Sequence, residues 1–257
     1  NNEENGIGMM AGMNMVEGKS VMLIQSTGLM NCINAIMSLP HAYEIAMPII
    51  VSYRGTPNDN IDVQKELGSS LIGILEACNL DYTLFESTKD FWRIEDAINY
   101  ARVNSNPHIL LISNEIWEKE PEVELPTLHM DNPEFRSPEV IKALLDRLSD
   151  DDILITNTGY PSKVAYHEKD RATNFYMKGS LGQATTIGMG IAEILDAEVF
   201  VIEGDGASLM SNSLSLLSQS LPDNLNILIL DNGVWGSTGG QMVGAGFGII
   251  HMDEYAK

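Results

Sequence analysis

The sequence predicts an α/β protein built of two doubly wound parallel-sheet domains. Short apolar runs suited to strands alternate with longer segments patterned as helices, the rhythm of βαβ units. Residues 113–136 interrupt that rhythm with Pro121, Pro126 and Pro133 and the acids Glu115, Glu118, Glu120, Glu122 and Glu124. The alternation then restarts, so the 257 residues divide into two medium-sized domains. The boundaries are 1–115 for the first domain, 116–136 for a linker and 137–257 for the second.

In chain order, residues 7–13 form a small-residue helix suited to close packing, and 20–25 a buried strand. Residues 26–28 read as a turn and 29–39 as a helix. The next strand, 47–52, ends at Tyr53-Arg54-Gly55 and gives way to a polar loop at 56–61. An amphipathic helix at 63–78, a strand at 82–85, a helix at 90–103 and a strand at 109–112 complete the first half. In the second half, Pro138 stands in the first turn of a helix running to 148. Strands follow at 153–156 and 174–177, with Pro161-Ser162-Lys163 in a loop between them. A turn at Gly179-Ser180-Leu181-Gly182 leads into a helix at 183–195, then strands at 198–202 and 226–230.

Composition narrows the function classes. An apolar content of 44% and a charged content of 20% are those of a soluble globular protein. The net charge of −21 speaks against nucleic acid, which needs a basic footprint; it fits an acidic, solvated surface or a salt-adapted source. No apolar run approaches the roughly 18 residues of a membrane span, and no signal peptide is visible. Cys32 and Cys78 sit in apolar, helix-like patterns and fit buried thiols in a reducing cytoplasm. The chain opens on Asn1 and stops soon after its last strand, so it reads as a piece of a longer protein, cut at both ends.

The chemistry concentrates in residues 199–208 and 226–234, which read strand, Gly204-Asp205-Gly206 turn, helix from Ala207, strand, and a turn at Asn232. Strand ends share one edge of a parallel sheet, so Asp205 and Asn232 can meet there. A carboxylate, an amide oxygen and a loop carbonyl are hard ligands suited to Mg²⁺, which takes its remaining ligands from phosphate and water. Gly204 and Gly206 permit close approach of a phosphate, and a helix N-terminus favours one. The reading from the residues alone is a Mg²⁺-diphosphate site.

Gly204-Asp205-Gly206 followed by Asn232, 27 residues after Asp205, resembles the motif of thiamine-diphosphate enzymes. That resemblance implies a pyrimidine-binding domain followed by a diphosphate-binding domain. It makes Asp205, Asn232 and the Val234 carbonyl the Mg²⁺ ligands, with Thr158, Gly159, Ala207, Trp235 and Gly236 also lining the thiamine diphosphate site. It also implies a glutamate before a small-residue helix. Glu3 lies nine residues before Gly12, with Glu4 its rival. Gly179, Ser180 and Leu181 resemble the segment that holds the cofactor bent, Leu181 as an apolar wedge.

Residues 22–35 and 50–55 are similar to the sulfopyruvate and phosphonopyruvate decarboxylase group, and residues 235–241 to its sulfopyruvate branch. Two departures from the group stand out: Met30 where Gly is usual, and Pro161-Ser162-Lys163 where a Thr-Ser-Arg-like run is common. The resemblance implies decarboxylation of a 3-anionic pyruvate, 3-sulfopyruvate ahead of 3-phosphonopyruvate, and so coenzyme M biosynthesis or phosphonate metabolism. Arg54 is the candidate cation for the substrate's second anion, with Gln25, Ser26, Asn31, Ser237 and Thr238 as hydrogen-bonding candidates. The family's active site lies between subunits, which implies a homodimer or tetramer. A non-catalytic pair of the same domains is the competing reading. A nicotinamide enzyme fits poorly, since no Gly-x-Gly-x-x-Gly follows a strand.

Overall fold

The computed structural model describes residues 2–16, 18–56, 59–116, 135–211, 213–219 and 222–244. They fall into two compact units, described residues 2–116 in one and 135–244 in the other. Most of the expected linker, with its prolines, and residues 245–257 lie outside the described residues.

The first unit is a four-stranded, all-parallel sheet. Its strands are β1 (Met22–Gln25), β2 (Met47–Tyr53), β3 (Asp81–Phe85) and β4 (Pro107–Ser113), in the order β1-β2-β4-β3. Central β2 and β4 are almost continuously apolar because both of their faces are covered. Alternation along these strands sorts side chains to two cores. Ile49, Val51, Ile109 and Leu111 join helices α1 (Glu3–Met15), α2 (Ser26–Ile36) and α3 (Asp62–Ala77) on one face. Leu110 and Ile112, with Ile50, meet Ala97 of α4 (Trp92–Asn104) and Phe85 on the other. Pro107 is tolerated because it is the first residue of its strand.

The second unit repeats the plan. Strands β5 (Ile153–Thr156), β6 (Asn174–Tyr176), β7 (Val199–Gly204) and β8 (Leu225–Leu230) are parallel, in the order β6-β5-β7-β8. Ile155, Val199 and Val201 pack with α7 (Ala184–Ala192) on one face. Leu154 and Ile202 pack with α5 (Ser137–Leu145) and α6 (Tyr160–Glu168) on the other. Two short helices, α8 (Asp205–Met210) and α9 (Ser213–Leu217), connect β7 to β8. No helix among the described residues is long and apolar enough to cross a membrane.

Three local expectations are corrected. Ser26, expected in a turn, is the first residue of α2, which gives way at Met37 to a π-helical turn containing Pro40; proline has no N–H to continue the α ladder. Pro161-Ser162-Lys163, expected as a loop, lies in the first turn of α6, where the missing proline N–H costs nothing. Asp205, expected in a tight turn before a helix from Ala207, is itself the first helical residue, and α8 ends after six residues.

Candidate functional site

In the second unit, the chain leaves β5 toward β6 and then crosses back to β7 on the far side of β5. Neighbouring β5 and β7 therefore send their following loops in opposite directions. Such a switch point opens a crevice at the carboxyl ends of the strands, where ligands of open α/β sheets bind. The residues delivered there are Asn157-Thr158-Gly159 after β5 and Gly204-Asp205-Gly206 at the end of β7.

The segment after β8 folds back over these residues. Asp205 Oδ2 accepts a 2.8 Å hydrogen bond from the Gly233 N–H. A Cβ on Gly206 would fall 2.8–3.0 Å from three ring atoms of Trp235, and one on Gly159 would fall 2.7 Å from Ser237 Oγ. Gly159 also has φ of +90°, a conformation that L side chains avoid. The covering loop is tied to itself: Trp235 N–H donates to the Gln241 carbonyl at 2.8 Å, Val243 N–H to the Gly233 carbonyl at 2.9 Å, and Thr238 Oγ1 to Gln241 Oε1 at 3.2 Å. On the other side, the turn 179–182 is seated against α8, since a Cβ on Gly182 would lie 2.7 Å from the Ala207 carbonyl oxygen. Ser180 in that turn holds φ of +56°, and Leu181 is 36% exposed, an apolar side chain left uncovered within its own unit.

The electrostatics centre on Asp205, which is 3% exposed. Burial pushes its carboxyl up to about 6, and neighbouring Asp231 adds to the rise. Two carboxylates held together in this way favour a cation between or beside them. Asn232 Oδ1 accepts from the Val234 N–H at 3.1 Å, and the Val234 carbonyl from the Gly236 N–H at 2.9 Å. Each acceptor has a second lone pair, and oxygens of this kind suit a hard divalent cation.

Sequence reasoning passed over three buried polar groups here. Asn157 Oδ1, Ser208 Oγ and Glu203 Oε1 are buried without a hydrogen-bond partner among the described residues. Fully buried Glu203 accepts through Oε2 from both the N–H and the Oγ1 of Thr185, at 3.2 Å each, and burial pushes its carboxyl up to about 7. Only Glu203 carried a signal in the sequence, as the one charged residue in the apolar run of β7.

In the first unit, the ends of β1, β2 and β4 also share one edge. Ser26 Oγ accepts from the Arg54 N–H at 2.9 Å and donates to the Ser52 carbonyl at 3.4 Å. Thr27 Oγ1 donates to Gln64 Oε1 at 3.0 Å, and Thr56 Oγ1 to Asn114 Oδ1 at 3.4 Å. The Arg54 guanidinium is engaged by Asp59, which the sequence had left as one polar residue in a loop. Gln25 and Asn31 are exposed.

Glu3 opens the first turn of α1, behind an Asn2 cap whose side chain accepts from the Glu4 N–H at 2.9 Å. The Glu3 carboxylate packs against Gly28, and its Oε2 is buried without a partner among the described residues, whereas Glu4 is exposed. Burial, aided by Glu3 and Glu4, pushes the neighbouring Cys32 thiol up to about 12.

Residues 158–253 match the family described as thiamine pyrophosphate enzyme, C-terminal TPP binding domain. The chain is 40% identical to a sulfopyruvate decarboxylase of Methanosarcina acetivorans, over 93% of this chain and 67% of that protein. It is 30% identical to a phosphonopyruvate decarboxylase of Streptomyces viridochromogenes, over 87% of this chain and 60% of that one. It is 41% identical to a sulfopyruvate decarboxylase subunit beta of Methanocaldococcus jannaschii, over 46% and 63%. The chain thus spans about two thirds or less of the length of each of these relatives.

Proposed function

The chain belongs to the thiamine pyrophosphate-dependent decarboxylase family, and from that premise we propose that it decarboxylates 3-sulfopyruvate to sulfoacetaldehyde and CO₂. The observation that carries the reading to the site is Asp205. It is a buried carboxylate at the β5/β7 switch point, hydrogen-bonded to the loop that bears Asn232. The 40% identity to a protein named sulfopyruvate decarboxylase favours the sulfonate substrate. The 30% identity to a phosphonopyruvate decarboxylase supports 3-phosphonopyruvate as the second reading.

In this proposal Asp205, Asn232 and the Val234 carbonyl hold Mg²⁺. Thr158, Gly159, Gly179, Ser180, Leu181, Gly204, Gly206, Ala207, Trp235 and Gly236 hold thiamine diphosphate. The bound cofactor supplies an electron sink for the pair left behind when CO₂ departs. Gly206 and Gly159 keep room in the crevice, since a side chain at either would strike the covering loop. Glu3 holds the catalytic proton at Oε2, the oxygen that is buried without a partner among the described residues. Arg54 meets the sulfonate, and Ser26 fixes the backbone from which Arg54 extends. Gln25, Asn31, Ser237 and Thr238 are secondary substrate contacts.

We further propose assembly as a homodimer or tetramer; the relative named subunit beta supports assembly from more than one chain. The free thiols Cys32 and Cys78 support a cytoplasmic setting. Neither nucleic acid nor membrane is a proposed partner.

The test is CO₂ release by the full-length protein with thiamine diphosphate and Mg²⁺. A higher kcat/KM on 3-sulfopyruvate than on 3-phosphonopyruvate supports the reading, and the reverse order overturns the substrate. No CO₂ from either, with calorimetry showing the cofactor bound, identifies a non-catalytic domain pair instead.

A further inference from the structure

Arg54 is held by more than its place at the end of β2. Its Nε donates to Asp59 Oδ2 at 2.7 Å and its Nη2 to Asp59 Oδ1 at 2.8 Å, a two-point fork that fixes the guanidinium plane. Asp59 is 4% exposed and is itself anchored, accepting from the Gly55 N–H and the Ile61 N–H at 3.1 Å each. The backbone beneath is equally constrained. Ser26 Oγ receives the Arg54 N–H, Tyr53 Oη donates to the Gly68 carbonyl at 2.9 Å, and Gly55 sits so close to α3 that its Cβ would fall 2.6 Å from Gly68 Cα.

A guanidinium carries five N–H donors. Asp59 takes two of them, so three remain, in a plane that can no longer rotate. The pair also has no net charge, so an anion meeting Arg54 meets oriented donors more than a free cation. We propose that Asp59 is a positioning residue for substrate, holding Arg54 so that its remaining N–H groups meet the sulfonate of a 3-sulfopyruvate-like anion. This rests on the proposed function above, and it assigns Asp59, Gly55 and Gly68 a shared purpose.

Charge and position make opposite predictions for Asp59→Asn, which is what makes the substitution informative. If Asp59 only dampened the Arg54 charge, removing it would strengthen binding of a dianion. If it positions the guanidinium, binding weakens although the local charge has become more positive. The probes are calorimetric titration of the full-length protein with 3-sulfopropanoate, an unreactive carboxylate–sulfonate, and steady-state kinetics with 3-sulfopyruvate. The expected result for Asp59→Asn is at least a tenfold rise in both the 3-sulfopropanoate Kd and the KM, with kcat falling less than threefold. Arg54→Lys keeps the charge and the Asp59 anchors but cannot form the fork, and should show the same split. The double variant should be no worse than Arg54→Lys alone. An unchanged or lowered Kd, equal losses in kcat and KM, or additive effects in the double variant would overturn the proposal. Where Asp59→Asn fails to fold, Asp59→Glu and Arg54→Lys carry the same comparison. The binding arm needs no turnover. Asp59-dependent binding without decarboxylation would therefore sink the proposed activity and leave this inference standing.

Discussion

The carboxylate of Glu3 lies directly against the backbone of Gly28: a Cβ at position 28 would fall 3.0 Å from both Cγ and Oε1 of Glu3. Gly28→Ala therefore sets two effects against each other. Alanine gains about 1 kcal/mol over glycine in a helix interior. Overpacking against Glu3, and against Ile24 Cγ1 at 2.9 Å, costs about 1–3 kcal/mol. The expected net change is a loss of about 1 kcal/mol, a small drop in melting temperature. Turnover should fall at least tenfold, because Glu3 must give way along with Ile24. The same small drop in melting temperature with turnover within twofold of the parent, measured by thermal unfolding and CO₂ release, would argue against a role for Glu3.

Glu3→Gln tests the same carboxylate without crowding it. It keeps the size and removes the proton site at Oε2. Decarboxylation should be abolished while calorimetric affinity for thiamine diphosphate stays within a few-fold. Undiminished activity would move the role to Glu4 or elsewhere.

Asp205→Asn should separate folding from cofactor binding. Without a cation, the ionised carboxylate is destabilised by burial and by Asp231, which is why its carboxyl rises to about 6. Removing the charge at neutral pH relieves both, and an asparagine oxygen can still accept the Gly233 N–H. The cofactor-free variant should melt no lower than the parent. Addition of Mg²⁺ and thiamine diphosphate should raise the parent's melting temperature and leave the variant's unchanged.

The parallel sheets were legible in the sequence because their central strands, covered on both faces, are apolar runs such as Ile49-Ile50-Val51 and Ile109-Leu110-Leu111-Ile112. The turns were less so. Ser, Asp and Gly serve equally in turns and in the first turn of a helix, so Ser26 and Asp205 looked like loop residues and are helical. Arg54 stood out by its place at a strand end, but its partner did not. Asp59 shares its stretch with other polar residues such as Asn60, and only the folded loop shows that Asp59 is buried and Asn60 exposed. Asn157 and Ser208 were hidden likewise among small and polar neighbours, whereas Glu203 is the one charged residue in the apolar run of β7.

Thiol chemistry should distinguish the two cysteines. Cys32 is fully buried and its thiol is pushed up to about 12, so almost none is thiolate near neutrality. Cys78 is only half-buried. Titration of the native protein with an aromatic disulfide should show one thiol reacting readily, lost in Cys78→Ala, and a second appearing only on unfolding. Fast reaction of Cys32 would contradict the packing of α2 over its neighbours.

Acid should dissolve the Arg54–Asp59 pair in a defined direction. The Arg54 guanidinium, the largest influence, holds the Asp59 carboxyl well below its ordinary range, and the Gly55 and Ile61 N–H groups add to this. A group whose folded pKa is depressed contributes stability that is fully present above its unfolded value, about 3.9, and is lost as pH falls toward the folded one. Breaking a buried pair costs about 3–5 kcal/mol, and partial exposure of the Arg54 side chain, 26%, lowers that to about 2 kcal/mol here. Denaturant unfolding should find Asp59→Asn less stable than the parent by about that amount at pH 7. The gap should stay constant down to about pH 5 and narrow below about pH 4, as the unfolded parent takes up a proton that the folded pair still excludes. A gap that widened in acid, or one absent at pH 7, would mean that the fork contributes nothing to holding the loop.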